Sequence, residues 1–477
     1  MEKVKQETDK AMENHLYGKT IAYLTLGCKV NGYETEAIRD TLKGCGVTEV
    51  PFREKADIYL VNTCTVTNIA DRKSRQMLHR ARKLNPEAVI VAEGCYVQEF
   101  CREGEDDGTA DIYVGNRRKG ETAAILNEWF TAKAAGTEPK HYYINEDSKL
   151  TVYEEMKAVT SETTNRAFMK IQDGCNQFCS YCIIPFARGR IASRKESDIL
   201  SEAKLLADSG CKEVVISGIH LSSYGLDKRS VREQSSLRTD DGSMPLISLL
   251  EKLAKLPGIE RIRLGSLEPR IITREFVEAL STIKKICPHF HLSLHSGCAE
   301  TLKRMNRRYT PCEFEEAVRL LREAFDNPAL TTDIIVGFPG ETEEDFLTSM
   351  AFAEKIGFAQ IHVFPYSRRK GTAADKMDGQ LTEAVKHERE VRFLETERKL
   401  RAAYYAGLLG KTASVMVEEM TEEGGILYAN GHCPRYGTYR FPADTDLSGR
   451  IVDVIGDNIT TDGIIQAKMV AISHKIG

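Results

Sequence analysis

Short apolar runs alternate with amphipathic stretches along the first third of the chain. Apolar runs of this length predict buried strands, and apolar residues spaced three and four apart predict helices. Strands that are joined by helical crossovers form a parallel sheet, so an α/β domain is expected here. The predicted strands are 20–27, 57–63, 88–94 and 111–115, and the predicted helices are 34–43 and 71–84.

The same alternation restarts after a polar, acidic linker at 146–164 and continues to about residue 367. Six strand–helix units predict a second α/β domain, whose functional groups should lie at the carboxyl ends of its strands. A polar stretch at 225–245 predicts a long surface loop. The predicted strands are 168–171, 213–217, 261–265, 289–294, 331–336 and 360–364, and the predicted helices include 199–208, 311–324 and 343–356.

The C-terminal part of the chain has a different pattern. A long charged helix is predicted at 375–406, and the residues after Gly407 form short strands separated by Gly, Pro and Asp turns. This pattern predicts an all-β domain. Its strands are expected at 412–418, 426–429, 438–441, 451–455 and 464–470.

The composition is that of a soluble globular protein with two or three domains, since 42% of its 477 residues are hydrophobic and 29% are charged. Residues 1–20 include no apolar signal segment, and no apolar run reaches the length of about eighteen residues that a membrane span needs. We therefore expect a cytoplasmic protein without a membrane partner. Thirteen cysteines in such a chain favour reduced thiols and metal binding over disulfides.

Three cysteines form a C-x3-C-x2-C run directly after the first predicted strand of the second domain, at Cys175, Cys179 and Cys182. Thiolates at this spacing can hold three irons of a four-iron cluster, and the iron without a protein ligand can bind a small molecule. The run therefore predicts a metal-dependent enzyme. A zinc site and three unrelated core thiols are the alternatives.

Three further cysteines end predicted strands of the first domain. Cys28, Cys64 and Cys95 follow the first, second and third strands. Because the carboxyl ends of parallel strands meet at one edge of a sheet, these thiols should converge there and form a second three-thiolate site. The alternative is that each is a small buried apolar residue.

Two segments are candidates for binding RNA. The helix after Cys64 carries a cluster of basic residues that includes Arg72 and Arg75, with a solvated helix face as the alternative. The segment 431–439 combines Arg435 with Tyr436, which suits phosphate contact and base stacking. Electrostatic support for the second segment is weak, since 407–477 holds six Lys or Arg against nine Asp or Glu, and the whole chain has a net charge of −4.

The C-x3-C-x2-C run with an aromatic residue, Tyr181, before its last cysteine resembles the signature of the radical S-adenosylmethionine (SAM) superfamily. The sequences around Cys28 (TLGCKVNGYETE), Cys64 (VNTCTVT) and Cys95 (EGCYVQ) resemble the cluster-binding motifs of methylthiotransferases. From about residue 19 to its end, the chain is identified as a member of the radical SAM methylthiotransferase family.

The resemblance implies an α/β fold in three parts. These are a parallel-sheet methylthiotransferase N-terminal domain at 19–145, a radical SAM core with a (β/α)6 partial TIM barrel at 160–400, and a small all-β TRAM barrel of the OB-like type at 407–477. TRAM barrels bind RNA through exposed faces and loops.

The resemblance also implies SAM and two [4Fe–4S] clusters as cofactors. The SAM-binding cluster would be held by Cys175, Cys179 and Cys182, and the auxiliary cluster by Cys28, Cys64 and Cys95. Tyr181 would contact the adenine of SAM and Gly218 its amino group. The arginines after the cluster loop would meet the SAM carboxylate or tRNA phosphates, with a solvated basic face as the alternative; they are Arg188, Arg190 and Arg194.

In this family, SAM cleavage produces a 5′-deoxyadenosyl radical that removes hydrogen from carbon 2 of an adenine, and a methylthio group then takes its place. The sequences GCKVNGYETE and GCNQFCSYCIIPFARG resemble the type that acts on N6-threonylcarbamoyladenosine at position 37 of tRNA. The implied partners are tRNA, SAM and an electron donor such as a flavodoxin or ferredoxin. N6-isopentenyladenosine and a ribosomal-protein aspartate are alternative substrates. An iron–sulfur electron carrier and a zinc-dependent RNA-binding protein are the alternatives without this chemistry.

Overall fold

The computed structural model describes residues 14–102, 108–145, 151–158, 165–227 and 244–472, which form two compact units. The first unit holds the described residues up to 158 together with 173–176 and 182–194. The second holds 165–172, 177–181 and the described residues from 195 onwards. Parts of the predicted linker at 146–164 and most of the predicted loop at 225–245 lie outside the described residues.

A parallel sheet of six strands forms the centre of the first unit. The strands are β1 (Thr20–Thr25), β2 (Thr48–Glu49), β3 (Ile58–Thr63), β4 (Val89–Gly94), β5 (Ile112–Val114) and β6 (Tyr142–Tyr143), in the spatial order β2-β1-β3-β4-β5-β6. Every residue of β3 and β4 is buried, as expected for central strands of a parallel sheet that is covered on both faces. The predicted parallel sheet is confirmed.

Helices connect these strands, and the two that the sequence pattern predicts, 34–43 and 71–84, begin earlier than predicted. They are α1 (Lys29–Gly44), α2 (Asn68–Leu84), α3 (Cys95–Arg102) and α4 (Thr122–Ala134). The Thr67 side chain caps α2 by accepting a hydrogen bond from the backbone N–H of Ala70, so the helix starts ahead of its apolar periodicity. Cys28 is the N-terminal cap residue of α1, and Cys95 is the first residue of α3. Strand ends and helix starts therefore coincide at two of the predicted ligands.

Six parallel strands of the second unit form a partial barrel. They are β7 (Arg166–Asp173), β8 (Glu213–Gly218), β9 (Arg261–Leu264), β10 (His289–His291), β11 (Ala329–Val336) and β12 (Gln360–Pro365). Backbone hydrogen bonds from Cys287 N–H to Ile262 O (2.9 Å) and from Leu267 N–H to His291 O (2.8 Å) join β9 to β10. The predicted six-strand architecture is confirmed.

Seven helices of four residues or more accompany these strands in the described part of the second unit. They are α5 (Glu196–Asp208), α6 (Pro245–Ala254), α7 (Arg274–Thr282), α8 (Ala299–Arg304), α9 (Pro311–Ala324), α10 (Glu343–Ile356) and α11 (Glu383–Ala406). Capping boxes at Thr310 and Thr342 start α9 and α10. Among the described residues, no helix combines the length and apolar character that a membrane crossing requires.

The second unit ends in a closed five-stranded barrel, as the C-terminal pattern predicts. Its strands are β13 (Thr412–Glu423), β14 (Ile426–His432), β15 (Thr438–Pro442), β16 (Ile451–Ile459) and β17 (Ile465–Ile472), in the order β13-β14-β15-β17-β16. β13 is longer than predicted because Glu419–Glu423 continue to pair with β14 beyond a bulge at Val417/Glu419.

Candidate functional site

Cys28, Cys64 and Cys95 follow three neighbouring strands of the first unit, β1, β3 and β4. Cys28 is exposed, whereas Cys64 and Cys95 are buried, and none of the three forms a disulfide. Burial, together with the neighbouring Cys95 and Cys28, raises the pKa of the Cys64 thiol to about 11. The three thiols therefore share one edge of the sheet, in the place that parallel topology predicts.

Polar side chains fix the backbone at this edge. The Asn31 amide donates to Leu26 O at 2.8 Å and to Thr63 O at 2.9 Å, which ties the end of β1 to the end of β3. The Ser74 hydroxyl accepts from Cys64 N–H (3.3 Å) and donates to Cys64 O (3.2 Å). The positions of two of the three cysteines are thus set by hydrogen bonds from α1 and α2.

Gly27, directly before Cys28, allows this close approach. Its φ of +95° lies in the left-handed region, and a Cβ there would lie 2.8 Å from both Cβ and Sγ of Cys64. A residue with a side chain would displace the Cys64 thiol. The glycine is therefore part of the thiol arrangement.

Arg188 is buried beside these cysteines. Its Nε–H donates to Cys95 Sγ at 3.2 Å, both terminal nitrogens donate to Glu34 (2.8 and 3.1 Å), and Nη1 also donates to the two Asp173 oxygens (3.2 and 3.3 Å). Arg194 is also buried and donates to Glu155 and to Met156 O. The solvated face considered for these two arginines is therefore wrong, whereas their contact with SAM or tRNA phosphates stays a prediction.

The C-x3-C-x2-C loop is divided between the two units, with Cys175 and Cys182 in the first and Cys179 in the second. Within the first unit, Cys175 N–H donates to Gly189 O at 3.1 Å. The preceding Gly174 has φ +68°, and a Cβ there would lie 1.9 Å from Arg190 O. Only glycine fits this turn.

The loop residues of the second unit are held at the carboxyl end of the partial barrel. Arg307 Nη1 lies 3.0 Å from Cys179 Sγ, and Ser180 is bonded through N–H to Met305 O (3.0 Å) and through its carbonyl to Ala374 N–H (2.7 Å). The Tyr181 ring packs 5.5 Å from the His295 ring and 6.4 Å from the Phe338 ring, measured between centroids. Tyr181 therefore lies in an aromatic setting suited to stacking.

Gly218 ends β8, and the next strand ends in a carboxylate that the sequence reasoning missed. A Cβ at Gly218 would lie 2.9 Å from Gln172 Oε1, so a close contact between neighbouring strands accounts for the glycine. Glu268 follows β9 and is buried. Burial, the largest single effect, raises its pKa, but the hydrogen bond and charge of His220 and the charges of Arg307 and Arg270 together outweigh burial and lower the pKa to about 2. The available signal was its position after a barrel strand.

A set of imidazole and carboxylate groups occupies three neighbouring barrel strands. His291, Asp333 and His362 present ligand-type atoms within 4.8 Å of one another. His291 Nε2 lies 3.4 Å from Asp333 Oδ2, and its Nδ1 lies 3.0 Å from Thr331 Oγ1. The sequence reasoning missed this set because its members come from three separate strands.

The basic helix predicted after Cys64 is α2. Arg72 and Arg75 are exposed, and the Arg75 guanidinium lies over the Tyr96 ring at 5.7 Å. Arg82 differs, since it pairs with Asp111 at 2.7 Å and donates to two backbone carbonyls. Arg80 and Lys83 are exposed as well, so the exposed positive face extends along the helix and Arg82 is not part of it.

Arg435 and Tyr436 lie where the C-terminal barrel packs on the partial barrel of the same unit. Arg435 donates to Asp326 O (2.7 Å) and Asn327 O (3.0 Å). Tyr436 stacks on His432 at 4.7 Å, and the Arg263 guanidinium lies 4.8 Å from its ring centre. An RNA contact by either residue would compete with these intramolecular contacts.

The donor sets fit iron–sulfur clusters. None of the six cysteines forms a disulfide, and an N–H group points at one sulfur of each set along the chain, at Cys95 in the N-terminal set and at Cys179 in the C-terminal set. Hydrogen bonds to sulfur are typical of cluster environments.

Two family models match the chain. Residues 20–115 match "Uncharacterized protein family UPF0004", and residues 169–353 match "Radical SAM superfamily". These segments include the two cysteine groups described above.

Two curated proteins and one solved structure place these matches in context. The chain is 38% identical to threonylcarbamoyladenosine tRNA methylthiotransferase MtaB of Bacillus subtilis (strain 168), over 91% of this chain and 93% of that protein. It is 35% identical to the tRNA-2-methylthio-N(6)-dimethylallyladenosine synthase of Thermoanaerobacter sp. (strain X514), over 92% and 90%. The fold is similar to that of the radical SAM methyltransferase TsrM from Kitasatospora setae, with a TM-score of 0.52 at 16% identity over 75% of this chain and 77% of that one. The chain belongs to the radical SAM methylthiotransferase family.

Proposed function

We propose that this protein adds a methylthio group to carbon 2 of N6-threonylcarbamoyladenosine at position 37 of tRNA. The observation that carries the proposal is the presence of two three-cysteine groups in one chain, one at the edge of the parallel sheet and one on the loop after β7. One group alone would suit SAM cleavage only. The substrate is proposed from the 38% identity to the Bacillus subtilis protein of that name.

In this proposal the two cysteine groups hold the two [4Fe–4S] clusters. The SAM-binding cluster is held by Cys175, Cys179 and Cys182, and the auxiliary cluster by Cys28, Cys64 and Cys95. When bound, the two clusters would supply the electron that cleaves SAM and the sulfur that is transferred.

Protein side chains bind and orient SAM. Tyr181 stacks on its adenine, and the backbone at Gly218 approaches its amino group. Glu268 is ionised at neutral pH and close to Gln177 of the cluster loop, with 3.4 Å between Gln177 Nε2 and Glu268 Oε2. It offers a negative charge to the SAM ammonium.

The tRNA is bound by exposed positive charge and by the C-terminal barrel, which we propose is a TRAM domain. Arg72 and Arg75 on α2 contact phosphates. The RNA contacts predicted for Arg435 and Tyr436 stay predictions. A small electron-transfer protein such as a flavodoxin or ferredoxin supplies electrons, and the reaction takes place in the cytoplasm.

The test is anaerobic reconstitution with iron and sulfide, followed by reaction with tRNA. Mass spectrometry of digested tRNA should find 2-methylthio-N6-threonylcarbamoyladenosine, and SAM should yield 5′-deoxyadenosine. Transcripts carrying N6-isopentenyladenosine serve as the matched control, and they should stay unmodified.

Each alternative predicts a different outcome. Modification of the isopentenyladenosine substrate alone would assign the chain to the type that acts on N6-isopentenyladenosine in tRNA. Modification of a ribosomal-protein aspartate would show that the substrate is a protein and not tRNA. An electron carrier or a zinc protein would release no 5′-deoxyadenosine from SAM.

A further inference from the structure

Arg188 is a buried cation of the first unit with several hydrogen-bond partners, and its side chain is only 1% exposed. A buried guanidinium is tolerated only when its N–H groups and its charge are compensated. Here Nη1 contacts Glu34 and Asp173, and Nη2 contacts Glu34 and Asn31 (2.5 Å). Lys119 also pairs with Glu34, at 2.5 Å.

The Nε–H of Arg188 donates to Cys95 Sγ at 3.2 Å. The ion pairs with Glu34 and Asp173 hold the guanidinium in place, so its orientation toward the sulfur is set by groups other than Cys95. The same sulfur lies 3.4 Å from Asn116 Nδ2, and this amide also donates to Ala187 O at 2.8 Å. Two fixed N–H groups, one charged and one neutral, thus point at one sulfur.

Such an arrangement suits a thiolate, since a thiol is a weak acceptor and an ionised sulfur a strong one. N–H groups and positive charge beside a cluster stabilise its reduced form, which is the more negative one. Hydrogen bonds to the sulfurs are among the factors that set cluster potentials.

We propose that Arg188 is a positioning residue that raises the reduction potential of the auxiliary cluster through its contact with Cys95. The inference rests on the proposed role of Cys95 as a cluster ligand. Asp173 lies two residues before Cys175, so the same guanidinium also contacts the segment that leads into the C-x3-C-x2-C loop.

The experiment uses the full chain with Cys175, Cys179 and Cys182 changed to alanine, so that only the auxiliary cluster assembles. Its midpoint potential is measured by redox titration followed by electron paramagnetic resonance. R188Q should lower the potential enough to change the reduced-to-oxidised ratio about tenfold at a fixed potential, which is about 59 mV for one electron. R188K should give a smaller shift, because the charge remains but the fixed N–H does not.

Two further variants separate the contact from general effects. N116A removes the neutral donor without touching an ion pair, and it should lower the potential by less than R188Q. R82Q removes a guanidinium of the same unit that pairs with Asp111 at 2.7 Å, and it should leave the auxiliary potential unchanged.

Loss of Arg188 removes the positive charge that balances the carboxylates of Glu34 and Asp173. The R188Q/E34Q double variant is therefore compared with E34Q alone, so that the carboxylate of Glu34 is absent from both proteins. If a fully loaded cluster keeps its potential in R188Q, or in the double variant relative to E34Q, the inference is overturned and the proposed function stands. If the protein with only Cys28, Cys64 and Cys95 takes up no iron, the ligand assignment fails and this inference fails with it.

Discussion

Glycine directly precedes a cysteine three times in the two cysteine groups, at Gly27-Cys28, Gly94-Cys95 and Gly174-Cys175. In all three cases a Cβ would meet atoms of another segment at 2.8 Å or less. The thiols are thus positioned by backbone that approaches other chain segments more closely than a side chain permits.

Gly27→Ala should therefore impair the auxiliary site selectively. The strained φ costs about 1–3 kcal/mol, and the added Cβ displaces Cys64. Iron bound per chain after anaerobic reconstitution should fall by about half. Gly32→Ala is the matched control, because Gly32 lies in α1 with nothing within 4 Å of the added Cβ. Equal iron in both variants would contradict the role of Gly27.

Glu93, the residue before Gly94 in β4, predicts a pH dependence of stability. Burial, partly offset by the charge of Lys119, raises its pKa to about 8. The folded state therefore keeps a proton that the unfolded state loses near pH 4.5, and stability falls as pH rises between these values, by up to about 1.4 kcal/mol per unit. In Glu93→Gln, the thermal unfolding midpoint should depend less on pH between pH 5 and 8 than it does in the wild type. A wild-type midpoint that rises across this range would show that Glu93 is ionised in the fold.

At the scale of elements, α2 combines a buried face with an exposed basic face. Ser74, Met77, Leu78 and Ala81 face the core, while Arg72 and Arg75 are exposed. The exposed basic face is the side of the helix that a polyanion can reach.

Charge reversal of Arg72 and Arg75 to Glu should weaken tRNA binding by at least tenfold and make its dependence on salt less steep. Filter binding at several salt concentrations measures both. Charge reversal of the exposed Arg319 and Arg398 is the matched control, and it should change neither quantity by as much. An unchanged salt slope in the α2 variant would mean that this face is only solvated.

The loop after β14 packs against the amino ends of the barrel strands. Arg263 of β9 pairs with Glu213 (2.7 Å) and donates to Pro434 O (2.9 Å), beside the Tyr436 ring. Tyr436→Ala should lower stability by about 1–3 kcal/mol, seen as a lower thermal midpoint. Tyr436→Phe, which keeps the ring, should restore the midpoint. A loss of tRNA affinity with an unchanged midpoint would instead support the RNA contact.

At the scale of the whole molecule, two cysteine groups predict two separable activities. Cys175→Ala should abolish SAM cleavage and methylthiolation together. Cys28→Ala should spare cleavage to 5′-deoxyadenosine and stop methylthiolation. Chromatography of SAM products and mass spectrometry of tRNA nucleosides measure the two activities. Methylthiolation that survives Cys28→Ala would overturn the two-cluster proposal.

Local sequence was sufficient for much of this molecule. Strand periodicity predicted both α/β regions and the C-terminal barrel, because apolar spacing reports burial directly. Parallel topology then predicted that Cys28, Cys64 and Cys95 share one sheet edge, since helical crossovers place the carboxyl ends of strands together. Helix starts were predicted less well, because caps such as Thr67 are polar and precede the periodic pattern.

The two cysteine groups, the alternating strands and the family were thus determined by the sequence alone, since each depends on residues close together along the chain. Tertiary structure decided what surrounds the thiols. Arg188 and Cys95 are 93 residues apart and Arg188 and Glu34 are 154 apart, so no local pattern distinguishes this buried arginine from a solvated one. Tyr436 likewise looks like a surface aromatic in sequence and is engaged by Arg263 and His432 in the fold. Burial and charge pairing arise only when distant segments of the chain come into contact. A residue that positions a thiol can therefore be distinguished from one that contacts solvent only in the tertiary structure.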